Sequence, residues 1–271
     1  MNIFIPILAV TVVGLICGIM LVVASKFISV PEDEKFVSVR KCLPGANCGA
    51  CGFTGCDGYA HALADGVTTE TNLCIPGGSA AAKDVADALG LEAQEVKSVV
   101  AYVACCGDNC RTVPRYEYSG IKSCAAVDLL YSGDGMCTFG CLGYGDCAAA
   151  CPQNAISVEN GLAHVDPATC IGCGKCAKVC PNALIMMLPL TETAVVRCTN
   201  HDKNVDTRKA CTHGCIGCKQ CEKECPADAI KVINNCAYID YNKCVECGHC
   251  VDICTVGCIT WTNFAEVRCP H

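Results

Sequence analysis

The chain opens with a long apolar segment, and short apolar runs then alternate with cysteine-rich loops. No residue from Ile3 to Ala24 is charged. A helix of this length, rising about 1.5 Å per residue, measures about 33 Å, which is enough to cross the hydrocarbon core of a bilayer. A cleaved signal peptide is the alternative, but no basic region precedes the apolar run. The pattern therefore predicts a transmembrane anchor over residues 1–25.

Basic residues follow this apolar segment and none precedes it. Lys26, Lys35, Arg40 and Lys41 fall in or beside the charged linker 26–41. Because basic residues next to a span favour the cytoplasmic side, we expect a single span in the cytoplasmic membrane with the rest of the chain in the cytoplasm.

A second apolar pattern covers the stretch from Ser79 to Val103, where valine, alanine and leucine recur at helical spacing. The pattern predicts a helical connector over residues 78–104, as one helix or as two broken near Gly90.

Composition indicates metal rather than a disulfide scaffold. The chain has 31 cysteines in 271 residues, an odd number, and many are three residues apart. Such spacing suits a tight metal cage, and persistent thiols suggest a reducing compartment. The net charge of −7 argues against nucleic-acid binding. With 6% aromatic residues, the fold needs metal–thiolate cross-links, so we expect an apoprotein that is mostly unfolded.

The C-terminal half is an internal duplication, which predicts two modules, 137–195 and 196–271. Eight cysteines of the first copy recur 74 residues later: Cys137, Cys141, Cys147, Cys151, Cys170, Cys173, Cys176 and Cys180 become Cys211, Cys215, Cys221, Cys225, Cys244, Cys247, Cys250 and Cys254.

The second copy carries the two-cluster ferredoxin signature, in which the fourth cysteine of each run serves the other cluster. The predicted ligand sets are Cys215, Cys218, Cys221 and Cys254, and Cys244, Cys247, Cys250 and Cys225. A zinc ribbon is the alternative, but zinc takes four ligands per ion and leaves the extra cysteines of each run unexplained.

The first copy departs from this signature in one run. Cys170, Cys173, Cys176 and Cys151 form one predicted set, but Tyr144 stands where the second copy has Cys218. Cys137 is the predicted substitute, giving Cys137, Cys141, Cys147 and Cys180. The alternative is a degenerate site that holds no cluster.

Two further cysteine groups precede the duplication. In the segment 42–77, four cysteines have cubane-like spacing, although spacing alone leaves zinc open; they are Cys48, Cys51, Cys56 and Cys74. In the segment 105–136, Cys106, Cys110 and Cys124 are candidates for an additional cluster, whose fourth ligand is either the adjacent Cys105 or a residue that the sequence does not identify. The remaining cysteines that fit no run are expected to be small hydrophobic residues: Cys17, Cys42, Cys198, Cys236, Cys258 and Cys269.

These patterns predict an α+β chain: an N-terminal transmembrane helix, a small Fe–S domain, then tandem two-cluster ferredoxin-like modules. The cofactors are [4Fe–4S] clusters, five in number with a sixth as a further candidate. No Gly-rich dinucleotide or P-loop motif is present. Because clusters transfer single electrons, the net reaction must finish on partner subunits.

The chain has one charge-free span, then a domain opening with LPGANCGACGFTGC, then ferredoxin repeats. In this order of features it resembles the B subunit of the Rnf complex over essentially the whole chain. That resemblance implies an electron-transfer subunit of an ion-translocating ferredoxin:NAD oxidoreductase, with soluble ferredoxin as donor and the other Rnf subunits as partners. It also implies that Cys48, Cys51, Cys56 and Cys74 bind a cluster.

Two alternatives remain open on the sequence alone. One is a polyferredoxin of a membrane hydrogenase or heterodisulfide reductase, and the other is a zinc-stapled interaction module. For an acidic ferredoxin, two local basic groups are candidate docking sites: Lys203, Arg208 and Lys209, or Arg111, Arg115 and Lys122.

Overall fold

The computed structural model describes residues 4–27, 33–96, 98–189 and 193–262. Helix α1, Phe4–Phe27, contains most of the predicted anchor, and its apolar side chains from Ile7 to Val23 are exposed where they are described. Within the described part of the chain, no helix meets the combined length and hydropathy needed to cross a membrane. Ile3, linker residues 28–32 and Cys269 lie outside the described residues.

The N-terminal domain is a small helical unit. Its elements are α2 (Glu34–Cys42), α3 (Cys56–Ala64), a 3-10 turn (Ile75–Gly77) and α4 (Gly78–Leu89). The Asp33 carboxylate caps α2 by accepting the Lys35 N–H at 3.0 Å. Val39, Tyr59 and Val85 are fully or almost fully buried between the helices.

The predicted helical connector 78–104 is wrong in its second half. Helix α4 ends at Gly90, whose left-handed backbone (φ +67°) stops the helix. The run from Val99 to Val103 is the strand β1, and four of its five residues are buried. Over so short an apolar run, helical and strand periodicity are hard to distinguish. The β-branched residues form a strand because they pair with β4, which begins at Ile185, 82 positions after Val103.

The remaining strands form antiparallel pairs. They are β2 (Ile156–Glu159), β3 (Leu162–Val165), β4 (Ile185–Pro189), β5 (Ala194–Val196), β6 (Ile230–Ile233), β7 (Cys236–Ile239) and β8 (Ile259–Trp261). In the described residues β1 pairs with β4 and β2 with β3, while β5 pairs with β8 and β6 with β7. The duplication seen in the cysteines therefore extends to the strand pairs.

This pairing moves the predicted module boundaries. Ala194 and Val195 fall in the first module by sequence, but β5 pairs with β8 and belongs to the second. The first module likewise begins at β1, not at Cys137, because β1 pairs with β4. The segment 105–136 is thus a long connection inside the first module, between β1 and its first cysteine loop.

In the described part of the modules, six short helices lie in the connections. They are α5 (Cys124–Asp128), α6 (Asp146–Ala149), α7 (Lys175–Val179), α8 (Asn204–Ala210), α9 (Gln220–Lys223) and α10 (His249–Asp252). Four of them, α6, α7, α9 and α10, pack against strands. Each module has its own core, in which half or fully buried cysteines lie beside the aliphatic residues of the strands. The modules contact each other through hydrogen bonds such as that from Arg197 Nη2 to the carbonyl of Cys105, at 3.2 Å.

Candidate iron–sulfur sites

The cysteine loops of the two modules share one backbone shape. Gly217 and Lys219, which flank Cys218, have positive φ angles of 63° and 62°. Gly143 and Gly145 flank Tyr144 with φ angles of 73° and 84°. Because glycine adopts this left-handed region without a steric cost, the loop containing Tyr144 folds as a cysteine-ligand loop although its middle cysteine is absent.

In the second module, the structure brings together both predicted ligand sets. Burial, followed by the neighbouring thiolates of Cys215, Cys218 and Cys254, raises the pKa of Cys221 to about 12. A separate cavity contains the other set, Cys225, Cys244, Cys247 and Cys250. Burial and the thiolate of Cys244 raise the pKa of Cys250 to about 11.

In the first module, the set predicted around Cys176 is also assembled. Burial and the thiolates of Cys170, Cys173 and Cys151 raise the pKa of Cys176 to about 11. Without metal the thiol of Cys176 is neutral at physiological pH, so binding of iron there must displace its proton.

The cysteine that precedes proline in these runs accepts a backbone hydrogen bond. The N–H of Ala155 donates to Cys151 Sγ at 3.3 Å, and the equivalent N–H of Ala229 donates to Cys225 Sγ at 3.3 Å. The N–H of Leu184 donates to Cys180 Sγ at 3.4 Å. Such bonds stabilise a thiolate and help to set the potential of a bound cluster.

In the N-terminal domain, the predicted ligands Cys48, Cys51, Cys56 and Cys74 are neighbours. Burial raises the pKa of Cys74, and the thiolates of Cys56, Cys48 and Cys51 raise it further. The Asn47 side chain fixes the loop by accepting the N–H of Cys56 at 2.9 Å. The domain lies against the first module, since a Cβ on Gly172 would be 3.1 Å from Ile75, the residue after Cys74.

Beside the run with the missing cysteine lies a residue that the sequence analysis assigned to another group. Cys124, Cys141, Cys147 and Cys180 line one cavity. Burial and the thiolates of Cys141, Cys124 and Cys180 raise the pKa of Cys147 to about 12.

Cys137, the predicted substitute, lines a neighbouring cavity at the contact between the modules. The other cysteines of that cavity are Cys105, Cys106, Cys198 and Cys211. The predicted group of Cys106, Cys110 and Cys124 is not assembled: Cys106 lies in the inter-module cavity, Cys110 is exposed, and Cys124 lies in the cavity of Cys147. No sequence signal indicates this separation, because loop residues with no regular spacing are placed only by tertiary contacts.

Sequence reasoning missed the relation between Cys105 and Cys198. Each follows the first strand of its module, and each sulfur accepts the N–H two residues later, from Gly107 at 3.3 Å and from Asn200 at 3.4 Å. They escape the 74-residue offset because the connection after β1 is longer than that after β5. The strand pairing, once known, is the signal that relates them.

Of the cysteines expected to be plain hydrophobic residues, Cys236 and Cys258 are buried, Cys42 and Cys198 are half-buried, and Cys17 is exposed on α1. Cys258 is in addition within 3.6 Å of Cys254, sulfur to sulfur. Either sulfur could donate in the free thiols, and the contact lowers the pKa of Cys254 to about 6. Once Cys254 is a thiolate ligand, only the Cys258 thiol has a proton to donate.

The donor set suits iron–sulfur clusters, because the four thiols of each set are neighbours and backbone N–H groups donate to Cys151, Cys180 and Cys225. Within the described residues, no three Cys, His, Asp or Glu side chains are arranged to hold a single metal ion; a four-iron cluster is larger than one ion and needs its thiolates farther apart.

Comparison with protein-family models gives three matches. An Fe-S cluster family matches residues 43–76. The 4Fe-4S dicluster domain matches residues 136–184 and 169–229, and the 4Fe-4S binding domain matches residues 237–260. These matches assign [4Fe–4S]-binding domains to the chain.

Curated relatives are similar over most of the chain. The B subunit of the Na(+)-translocating ferredoxin:NAD(+) oxidoreductase complex of Acetobacterium woodii is 44% identical over 95% of this chain and 78% of its own length. The B subunit of the proton-translocating complex of Clostridium ljungdahlii is 43% identical over 96% of this chain and 93% of its own length. The B subunit of the ion-translocating oxidoreductase complex of Methanosarcina acetivorans is 40% identical over 89% and 91% of the two chains.

Proposed function

The chain belongs to the family of B subunits of ion-translocating ferredoxin:NAD oxidoreductase (Rnf) complexes, and from this premise we propose that it carries electrons from reduced ferredoxin to the other subunits. The carriers are [4Fe–4S] clusters. The chain is thus one subunit of a translocating oxidoreductase and holds no complete catalytic site of its own.

The observation that carries this proposal is that cysteines distant in sequence are repeatedly neighbours in sets of four. Four such sets follow the predicted ligands and support a cluster each: Cys48, Cys51, Cys56 and Cys74; Cys151, Cys170, Cys173 and Cys176; Cys215, Cys218, Cys221 and Cys254; Cys225, Cys244, Cys247 and Cys250. Cys141, Cys147 and Cys180 contribute to a fifth. We therefore propose five clusters and no sixth.

The sites are linked by direct contacts, which supports a wire rather than isolated centres. The N-terminal site adjoins the loop of the Cys176 set through Ile75 and Gly172. Within each module the helices that carry the two cysteine loops pack on each other, as α6 does on α7. The modules are in contact where the N–H of Thr212, beside Cys211, donates to the Arg111 carbonyl at 2.9 Å. Electrons can therefore pass along the chain in single-electron steps.

We place the chain at the cytoplasmic membrane with α1 as its anchor. Support comes from the part of α1 from Phe4 to Ala24, which carries no charge, and from its exposed apolar side chains. Lys26, Lys35 and Arg40 follow the apolar run and favour a cytoplasmic location for the cluster domains.

Ferredoxin docking is proposed at helix α8. Lys203, Arg208 and Lys209 are all exposed there. In the alternative group, Arg111 is paired with Asp108 at 3.1 Å, and Arg115 donates to backbone carbonyls. Charges that are free to meet an acidic partner raise its rate of association, which favours α8.

Iron and acid-labile sulfide analysis of the full chain, purified without oxygen, tests the redox proposal. We expect about 20 irons with equal sulfide, and magnetically coupled [4Fe–4S] signals by EPR after reduction. Rapid reduction by chemically reduced ferredoxin would place the chain at the entry of electrons. A colourless protein with zinc and no sulfide would contradict an electron-transfer function.

A further inference from the structure

The first module lacks one cysteine of its first loop, and the structure points to the residue that replaces it. We propose that Cys124 is the fourth ligand of the cluster held by Cys141, Cys147 and Cys180, in the role that Cys218 has in the second module. This inference rests on the proposed cluster content and adds to it the ligand set of the irregular site.

Tyr144 occupies the sequence position of the missing ligand but is engaged elsewhere. Its hydroxyl donates to the Asp134 carboxylate at 2.6 Å. Its ring packs edge-on against Tyr118, with the centroids 5.8 Å apart. Cys141 lies between two cavities. Tyr144 lines the one on the Asp134 side of the loop, whereas Cys147 and Cys180 line the other, which does not include Tyr144.

Cys124 is held at that second cavity by a specific clamp. It is the first residue of α5 and is 8% exposed. The Asp146 carboxylate accepts the Ser123 hydroxyl at 2.9 Å and the Ala125 N–H at 3.0 Å. Because Asp146 immediately precedes Cys147, the residues on both sides of Cys124 are bound to the residue next to a ligand.

The chain length of the first module explains how Cys124 reaches this place. Between β1 and Cys137 there are 33 residues, against 14 between β5 and Cys211 in the second module. The extra residues form the excursion that contains α5. The strand register matches Cys198 with Cys105, so Cys124 belongs to the extension and has no counterpart by register in the second module.

Cys137 is the competing ligand, and its surroundings argue against it. It lines the inter-module cavity and, with Cys141, the cavity of Tyr144, but not the cavity that contains Cys147 and Cys180. The Asn200 side chain donates to its sulfur at 3.4 Å. Its counterpart Cys211 lies in the same cavity although the second module already has all its cluster cysteines. The pair therefore shares a place between the modules that is unrelated to the missing ligand.

The experiment compares iron, sulfide and EPR spectra of the full chain with those of Cys124→Ser, Cys137→Ser and the double variant Cys124→Ser/Tyr144→Cys. We expect Cys124→Ser to lose about four irons and four sulfides, or to show an oxidised [3Fe–4S] signal. Cys137→Ser should keep the wild-type content. The double variant restores the regular cysteine spacing of the loop and should restore the lost cluster.

Each opposite result is decisive. Loss of one cluster in Cys137→Ser with full content in Cys124→Ser would overturn the inference, as would full content in both. If the double variant does not recover iron, the loss in Cys124→Ser is a folding defect, and Cys124 is not a ligand. A wild-type chain without sulfide would instead reject the proposed function itself.

Discussion

Ser123 and Asp146 are 23 positions apart in the chain, and the serine hydroxyl donates to the aspartate carboxylate at 2.9 Å. The same oxygen accepts the Ala125 N–H at 3.0 Å. This carboxylate joins the start of α5 to the start of α6, and so it joins Cys124 to Cys147. A side chain that binds no metal thus determines whether two distant cysteines meet.

Replacing Asp146 by asparagine should weaken this junction, because a neutral acceptor binds both donors less strongly. Hydrogen bonds to a charged group contribute about 1.5–3 kcal/mol each, so we expect a loss of about 1–3 kcal/mol in local stability. The measurement is the rate at which iron leaves the holoprotein in the presence of a chelator. The control is Asp166→Asn, which neutralises an exposed carboxylate that accepts the N–H of Ala168 within its own turn, and it should change the rate much less.

The pH dependence of this effect has a definite sign. Burial alone would raise the pKa of Asp146, but the N–H of Ala125, the hydroxyl of Ser123 and the N–H of Cys124 together hold it below its usual value. The stabilisation is therefore complete above the unfolded pKa of about 4 and is lost as the pH falls through the lower folded pKa. The difference in iron release between wild type and Asp146→Asn should be constant from about pH 5 to pH 8. A difference that shrinks within that range would show that another group is titrating.

Gly172 is expected to tolerate no side chain. Its φ is +67°, and a Cβ would collide with the Val99 carbonyl oxygen and press on Ile75. Gly174 has φ +68° but open space around it, so Gly174→Ala carries the backbone strain without the collision. We expect Gly172→Ala to lose its visible absorbance at elevated temperature about 10-fold faster than Gly174→Ala, as overpacking by about 1–3 kcal/mol implies. Equal rates would mean that the loop and the N-terminal domain do not need this close contact.

Cys258 should tune a cluster that it does not bind. Its thiol donates to Cys254, a proposed ligand, and the equivalent residue in the first module is Leu184. Hydrogen bonds to ligand sulfur stabilise the reduced, more negative cluster, so they raise the reduction potential.

Cys258→Leu should therefore lower the potential of the Cys221 cluster, and Leu184→Cys should raise that of the Cys147 cluster. EPR-monitored redox titration measures both at unchanged iron content. Potentials that stay the same in both variants would show that the thiol makes no difference to either cluster.

Electron entry should depend on the basic face of α8. Neutralising Lys203, Arg208 and Lys209 to glutamine is expected to slow reduction by ferredoxin several-fold at low ionic strength and much less at high ionic strength, because salt screens exposed charges. Stopped-flow absorbance follows the reaction. Lys231→Gln is the matched control, since this exposed lysine is already paired with Asp228 at 2.5 Å. Equal slowing at both salt concentrations would exclude electrostatic docking at α8.

The amino-acid sequence alone shows which cysteines share a loop and that the C-terminal half is duplicated. Two or three residues separate successive cysteines of a run, so their relative positions are set by local backbone geometry. In so short a loop, Cys215, Cys218 and Cys221 lie close together. The ferredoxin pattern also carries the distant fourth cysteine, such as Cys254, because the fold that it encodes returns the chain to the same place.

Where the local pattern is interrupted, the conformation of the chain and the positions of the cysteines depend on tertiary contacts. The apolar run that forms β1 fits both helical and strand periodicity. It is a strand because it pairs with β4. By spacing, Cys137 is the nearer substitute, since it precedes Cys141 by four positions, whereas Cys124 is 17 positions away. Their separation into different cavities depends on the Asp146 clamp and on the contact between modules, and both arise from residues far apart in the chain.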